Sequence, residues 1–175
     1  RGDGKTSLAC NLATALAQAG RRVLLVDINA RNPKVEEAFG MEPGPGLGDI
    51  LFGKREPNEI VRQTDYSNLY VIGPGKQRDI VIGKLASRDM VAFFEQAEQA
   101  FDHVIIDTPP ALLMADAKLL APVVDGVVVV VGVGASTTGM VQRCLTDLRQ
   151  IGANVIGLVL NKARATRGGY LRTNL

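Results

Sequence analysis

Gly2-Asp3-Gly4-Lys5-Thr6-Ser7, running directly into Leu8-Ala9-Cys10-Asn11-Leu12-Ala13, decides the fold. The stretch reads as the second half of a phosphate-binding loop followed at once by a helix. Gly2 and Gly4 let the backbone approach anionic oxygens with no Cβ in the way. The free N–H groups of the helix's first turn, with roughly half a positive charge from its dipole, face the phosphates. In the pattern G-x-x-x-x-G-K-[ST], Lys5 reaches the β- and γ-phosphates and the Thr6 hydroxyl ligates Mg²⁺. Gly2, Asp3, Gly4, Lys5, Thr6 and Ser7 are therefore the expected nucleotide-binding residues. The pattern's first glycine falls two residues before Arg1. The chain thus reads as a piece of a longer protein that opens inside its own loop, without the strand expected ahead of it.

Downstream, Thr6 to Ala19 reads as a helix, with Leu8, Leu12, Ala15, Leu16 and Ala19 on one stripe and Gly20 as its stop. Val23-Leu24-Leu25-Val26-Asp27 is a continuous apolar run, as expected of a strand buried on both faces. Leu69 to Ile72, His103 to Asp107, Gly126 to Gly132 and Val155 to Asn161 are further strands of this kind. Helical patterns at Arg88 to Phe101, Asp116 to Val124 and Thr138 to Ile151 separate them, the last stopped by Gly152. A short helix is expected around Asp49 to Phe52, inside the Gly- and Pro-rich excursion from Met41 to Gly53. Strands alternating with helices predict an α/β fold: a three-layer, doubly wound, mostly parallel sheet of the P-loop NTPase kind, forming one domain over residues 1–175. In such sheets ligands bind at the carboxyl ends of the strands.

Composition bounds the reading without deciding it. The 175 residues suffice for one substantial core, and 46% hydrophobic with 22% charged residues is ordinary for a globular α/β protein. A net charge of +2 gives no reason to expect a nucleic-acid partner. Cys10 and Cys144 read as reduced thiols packed in helices. No run approaches the ~20 apolar residues that span a bilayer. The tail from Lys162 onward is basic, with Arg164, Arg167 and Arg172 and no acid, and reads as a solvated end.

Two strands end in aspartate, Asp27 and Asp107. A carboxylate after four apolar residues is costly to bury unless it meets a cation or a hydrogen-bond donor. Beside a phosphate loop the obvious cation is Mg²⁺, and Asp107 fits the carboxylate that holds the metal's water shell in P-loop ATPases.

Val26-Asp27-Ile28-Asn29-Ala30-Arg31-Asn32-Pro33 resembles the second Walker-A motif of the bacterial tyrosine kinases, and Phe101-Asp102-His103-Val104-Ile105-Ile106-Asp107-Thr108-Pro109-Pro110 resembles their Walker B. The resemblance covers nearly the whole chain. Arg31 and Pro33 set it apart from the related Min and Par ATPases, which share the loop and the Walker B. It implies an ATP- and Mg²⁺-dependent protein tyrosine kinase, phosphorylating itself among other substrates, in exopolysaccharide or capsule production. It implies a homo-oligomer at the inner, cytoplasmic face of the cell membrane, working with a membrane-embedded activator of the chain-length determinant type. Carried over by position, Lys5, Asp27 and Asp107 are catalytic, with Asp27 accepting the tyrosine proton. Thr6, Asn29 and Asp107 lie at the metal, and Asn161 hydrogen-bonds the adenine.

The sequence departs from that pattern at several places. Asn29 stands where the family has a second aspartate near Mg²⁺; a unit charge about 4 Å from a cation charge is worth up to roughly 4 kcal/mol at an effective dielectric of 20. Gly75-Lys76-Gln77-Arg78-Asp79 replaces the family's Pro- and Asn-rich loop, and the C-terminal tyrosine cluster is reduced to Tyr170. The resemblance also expects a helix that mediates ring assembly ahead of the phosphate loop, in a position that falls before Arg1. Two other readings compete: a Min- or Par-type switch ATPase without kinase activity, and a nucleotide-binding scaffold that has lost catalysis.

Overall fold

The computed structural model describes residues 2–53, 55–76, 84–85, 87–110 and 116–163, apart from the side chains of 116 and 117. Residues 77–79 of the second glycine loop, and Arg164, Arg167, Tyr170 and Arg172 of the tail, lie outside them.

Helix α1 (Lys5–Gln18) runs from the phosphate loop to Gly20, whose φ of +83° suits a residue without Cβ. There Arg21 N–H donates to the Leu16 carbonyl and Gly20 N–H to that of Ala17, closing the helix in a Schellman motif. Small residues, Cys10, Ala13 and Ala17, fill its buried face and let it lie close on the sheet. Strand β1 (Val23–Asp27) follows, buried throughout. Then come α2 (Val35–Ala38), α3 (Leu47–Leu51), a 3₁₀ turn at Pro57–Glu59, and strands β2 (Arg62–Gln63) and β3 (Leu69–Ile72). The chain continues through α4 (Arg88–Ala100), β4 (His103–Asp107), α5 (Asp116–Leu120), β5 (Val127–Gly132), α6 (Thr138–Gln150) and β6 (Val155–Asn161). The helices and strands expected from sequence are present with ends moved by a few residues. Helix α3 starts two residues early because Asp49 Oδ2 accepts the Gly46 N–H at 2.9 Å. Three elements carry too little pattern to be foreseen: α2, the 3₁₀ turn and β2.

Strand β1 is central, parallel to β3 on one side and β4 on the other, and β2 adds an antiparallel edge. Strands β5 and β6 pair in parallel as a second hydrogen-bonded set. Alternate residues of β1 serve opposite layers. Val23 and Leu25 pack with α1 through Cys10, Ala13 and Ala17, whereas Leu24 and Val26 pack with α3 and α4 through Leu47, Met90 and Phe93. Each such side chain contributes about 1.5–3 kcal/mol on burial. The chain goes from β1 to β3 on one side and then crosses to β4 on the other. That switch leaves a crevice at the carboxyl ends of β1 and β4, where α/β sheets bind ligands. Their terminal residues, Asp27 and Asp107, are register partners.

The turn after β1 is braced from below. Glu36, 7% exposed, accepts from Arg62 Nη1 at 2.6 Å and from the Gly44 N–H at 3.0 Å, while Arg62 also donates to the Glu42 carbonyl. A Cβ at Gly73 would stand 2.4 Å from Glu36 Oε2, so a larger residue there would displace this carboxylate. Arg62→Leu strands a buried carboxylate and should cost about 3 kcal/mol in denaturant unfolding; Arg62→Leu with Glu36→Leu should cost much less. Equal costs for the two would show that the pair does not brace this turn.

Candidate nucleotide and metal site

The glycine loop adopts the left-handed conformations its residues permit, with φ of +79° at Gly2 and +87° at Gly4. Helix α1 starts at Lys5, and no side chain caps its first turn. The N-cap is Gly4, which has no side chain to bond the amides of that turn, the condition under which a helix start takes an anion. The loop is held by the ends of the second strand pair. Asn161 Nδ2 donates to the Asp3 carbonyl at 2.8 Å, and a Cβ at Gly4 would stand 2.0 Å from that same nitrogen. A Cβ at Gly132 would stand 2.8 Å from Asp3 Oδ1. Lys5 Nζ lies 3.6 Å from Asp3 Oδ2, on the loop rather than out in solvent. Ser7 is exposed at the rim.

On the other flank Thr6 Oγ1 donates to Asp107 Oδ2 at 2.5 Å. Asp107 is 3% exposed and Asp27 fully buried. Burial raises the Asp107 carboxyl to about 6, and the Asp27 charge adds to the rise; the Thr6 hydrogen bond and the Lys5 charge oppose it. Asp27 is satisfied differently, by its own turn: Oδ1 accepts the Asn29 N–H at 2.9 Å, and Oδ2 accepts those of Lys34 at 2.9 Å and Val35 at 3.1 Å. These bonds explain why β1 ends here and α2 starts where it does. Asn29 is committed to the same turn, its Nδ2 donating to the Asn32 carbonyl at 3.1 Å, a bond no aspartate could make. Beside the turn lies a concavity of about 530 Å³ lined by Arg31, Asn32, Pro33, Glu36, Glu37 and Met41, set off from the phosphate loop itself.

Among the described residues no cluster of three or more His, Cys, Asp or Glu stands ready for a metal. The oxygen set at hand is one hydroxyl, Thr6, and one carboxylate, Asp107. That set suits Mg²⁺, which takes one or two protein oxygens and completes its shell with phosphate and water. The sequence expectations thus converge in space: Gly2 to Thr6, Asp27, Asp107 and Asn161 surround one helix start. Asn161 holds the loop with one N–H and accepts the Lys162 N–H at 2.9 Å through Oδ1, which leaves a second N–H and a lone pair for a ligand. The amide donors of Lys34 and Val35 and the loop contact of Gly132 were not legible, since neither backbone donors nor close approaches leave a mark in side-chain pattern.

Between about pH 4 and 6 the ligand-free fold keeps a proton on Asp107 that the unfolded chain releases. The contribution of this group is complete below pH 4 and lost as pH rises to 6, a change of about 3 kcal/mol. The stability difference between parent and Asp107→Asn should therefore shift toward the variant across that window. A difference independent of pH would contradict the assignment.

Residues 1–156 match the family described as AAA domain. The tyrosine-protein kinase YwqD of Bacillus subtilis is 32% identical over 166 residues, 95% of this chain and 70% of that protein. The succinoglycan biosynthesis transport protein ExoP of Rhizobium meliloti is also 32% identical, over 91% of this chain but only 21% of its own length. The chain thus spans about a fifth of that longer relative. The kinase domain of the Escherichia coli tyrosine kinase ETK superposes with a TM-score of 0.88 at 29% identity, covering 97% of this chain and 68% of that one. The cradle at Gly4, the Thr6–Asp107 pair and the chain's sequence point the same way: this chain belongs to the bacterial P-loop tyrosine kinases.

Proposed function

We propose that this chain is an ATP- and Mg²⁺-dependent tyrosine kinase domain that transfers the γ-phosphoryl group to protein tyrosines, its own included. The observation that carries the reading is the Thr6–Asp107 hydrogen bond at the uncapped start of α1, beside the register pair Asp27 and Asp107. Phosphoryl transfer asks the protein mainly to position groups and to oppose developing charge. The α1 amides and Lys5 hold the β- and γ-phosphates, with Gly2, Asp3, Gly4 and Ser7 shaping the loop around them. Bound Mg²⁺ supplies neutralisation of phosphate charge, and Thr6 and Asp107 are the residues that would hold it. Asn29, which the family pattern puts near the metal, spends its amide on the turn, so this chain would offer the metal one carboxylate fewer than that pattern.

Asp27 serves as the residue toward which the acceptor hydroxyl is aligned. To take the tyrosine proton it must release some of the amide bonds from Asn29, Lys34 and Val35, which ties proton acceptance to movement of the turn. Asn161 reads the adenine with the N–H left over from the loop. The wider role is regulation of exopolysaccharide or capsule export from the cytoplasmic face of the membrane. Its support is the similarity to exopolysaccharide proteins such as the succinoglycan biosynthesis transport protein ExoP, and the reading adds a membrane-embedded activator and self-assembly as the family resemblance implies. No helix among the described residues is long and apolar enough to cross a membrane.

The test uses the complete protein expressed with its membrane partner. Phosphotyrosine should be found by mass spectrometry at Tyr170 or downstream of Leu175, and should vanish in Asp27→Asn and in Lys5→Ala. Robust ATP hydrolysis without phosphotyrosine would replace this reading by the switch ATPase, and neither activity by the scaffold.

A further inference from the structure

Lys162 follows β6 with a φ of +60°, a left-handed conformation that side chains with a Cβ avoid. Among the described residues the other non-glycine with positive φ is Asn68, and asparagine enters that region readily. A lysine does not, so its surroundings must impose the conformation. They do so through Asn161, whose Oδ1 accepts the Lys162 N–H at 2.9 Å while its Nδ2 holds the Asp3 carbonyl at 2.8 Å. The backbone therefore bends at Lys162, immediately after β6.

The turn has a consequence for the side chain. Lys162 Nζ lies 3.8 Å from the position a Gly2 Cβ would take, so the ammonium rests on the start of the loop although the residue is exposed. No carboxylate among the described residues pairs with it. A lysine held along a rim by a strained backbone, with its charge unspent, presents an apolar four-carbon stem beside a directed cation. The location narrows what it meets. Phosphates belong at the α1 start, and the metal belongs with Thr6 and Asp107 at the end of β4. The sugar and base of a nucleotide are then left to the flank formed by β5 and β6, where Asn161 keeps one N–H and one lone pair available.

We propose that Lys162 contacts the nucleoside half of the bound nucleotide, its stem packing on the base and its ammonium, seated over Gly2, facing the sugar oxygens. This rests on the nucleotide reading given above. The full chain is titrated calorimetrically in Mg²⁺ buffer with ADP and, separately, with inorganic tripolyphosphate, for the parent, Lys162→Ala and Lys162→Gly. Glycine is the residue best suited to a left-handed backbone, so Lys162→Gly removes the side chain while relieving the strain. Both variants should bind ADP about tenfold more weakly than the parent and tripolyphosphate within twofold of it. ADP binding by Lys162→Gly equal to that of the parent would reduce Lys162 to a turn residue and overturn the proposal. An equal loss for both probes would make it a phosphate cation and overturn it too. A parent that binds tripolyphosphate but not ADP overturns the nucleoside contact while the phosphate loop stands. A parent that binds neither removes the nucleotide site itself.

Discussion

Two carboxylates buried at the ends of neighbouring parallel strands set the terms for everything around them. Asp27 and Asp107 are register partners and almost wholly withdrawn from water. Burying an ionised carboxylate is costly unless donors or a cation compensate it. The fold answers the cost differently at the two positions. Asp27 collects three backbone amides from the turn that follows it, and that turn thereby acquires a fixed course through Lys34 into α2. Asp107 receives the Thr6 hydroxyl and is held well above the ordinary carboxylate range. Compensation is thus nearly complete at one site and partial at its neighbour, and the partly compensated one is where a cation has most to offer.

The start of α1 is the element that turns this imbalance into a site. It touches the first sheet through Thr6 and the second strand pair through Asp3, with Asn161 and Gly132 on the far side. Glycine at position 4 is demanded by the close approach of Asn161 and by a positive φ at once. The same residue that leaves room for an anion therefore also leaves room for the latch that fixes the loop. Lys5, drawn toward Asp3 here, has only to exchange one carboxylate for a phosphate.

Much of this was legible before any coordinates. Val23 to Val26 read as a buried strand because its apolar run is uninterrupted, and it is buried throughout. The other apolar runs form the expected strands but not the expected burial: His103 is exposed, Val104 to Ile106 are half-buried, and β5 and β6 leave residues such as Val128, Ile156 and Leu160 exposed. An aspartate closing the runs at Asp27 and Asp107 marks chemistry rather than packing. Gly2 to Thr6 gave the anion site because the loop's function depends on residue types, which a sequence records. Less visible were features that depend on the backbone. Residues Val35–Ala38 form a single helical turn too short for periodicity, and Arg62–Gln63 form a strand of two residues. The place of Asn29 was read from the family resemblance, which has an aspartate there. Its bond to the Asn32 carbonyl, which gives the amide a structural purpose, follows only from the shape of the turn. Lys162 was legible as a neighbour of Asn161 but not as a strained residue folded over Gly2, since backbone dihedrals at a strand exit are set by tertiary bonds.

The central claim is that nucleotide and Mg²⁺ are held where α1 meets the ends of β1 and β4. A crystal structure of the full chain with Mg²⁺ and ADP tests it most directly. The account predicts phosphates on the amides of residues 4–7, Mg²⁺ on the Thr6 hydroxyl with Asp107 at its water shell, and the direct Thr6–Asp107 hydrogen bond broken or rebuilt around the metal. A nucleotide bound elsewhere, or one bound here with that hydrogen bond intact and no metal between loop and strand, would contradict it.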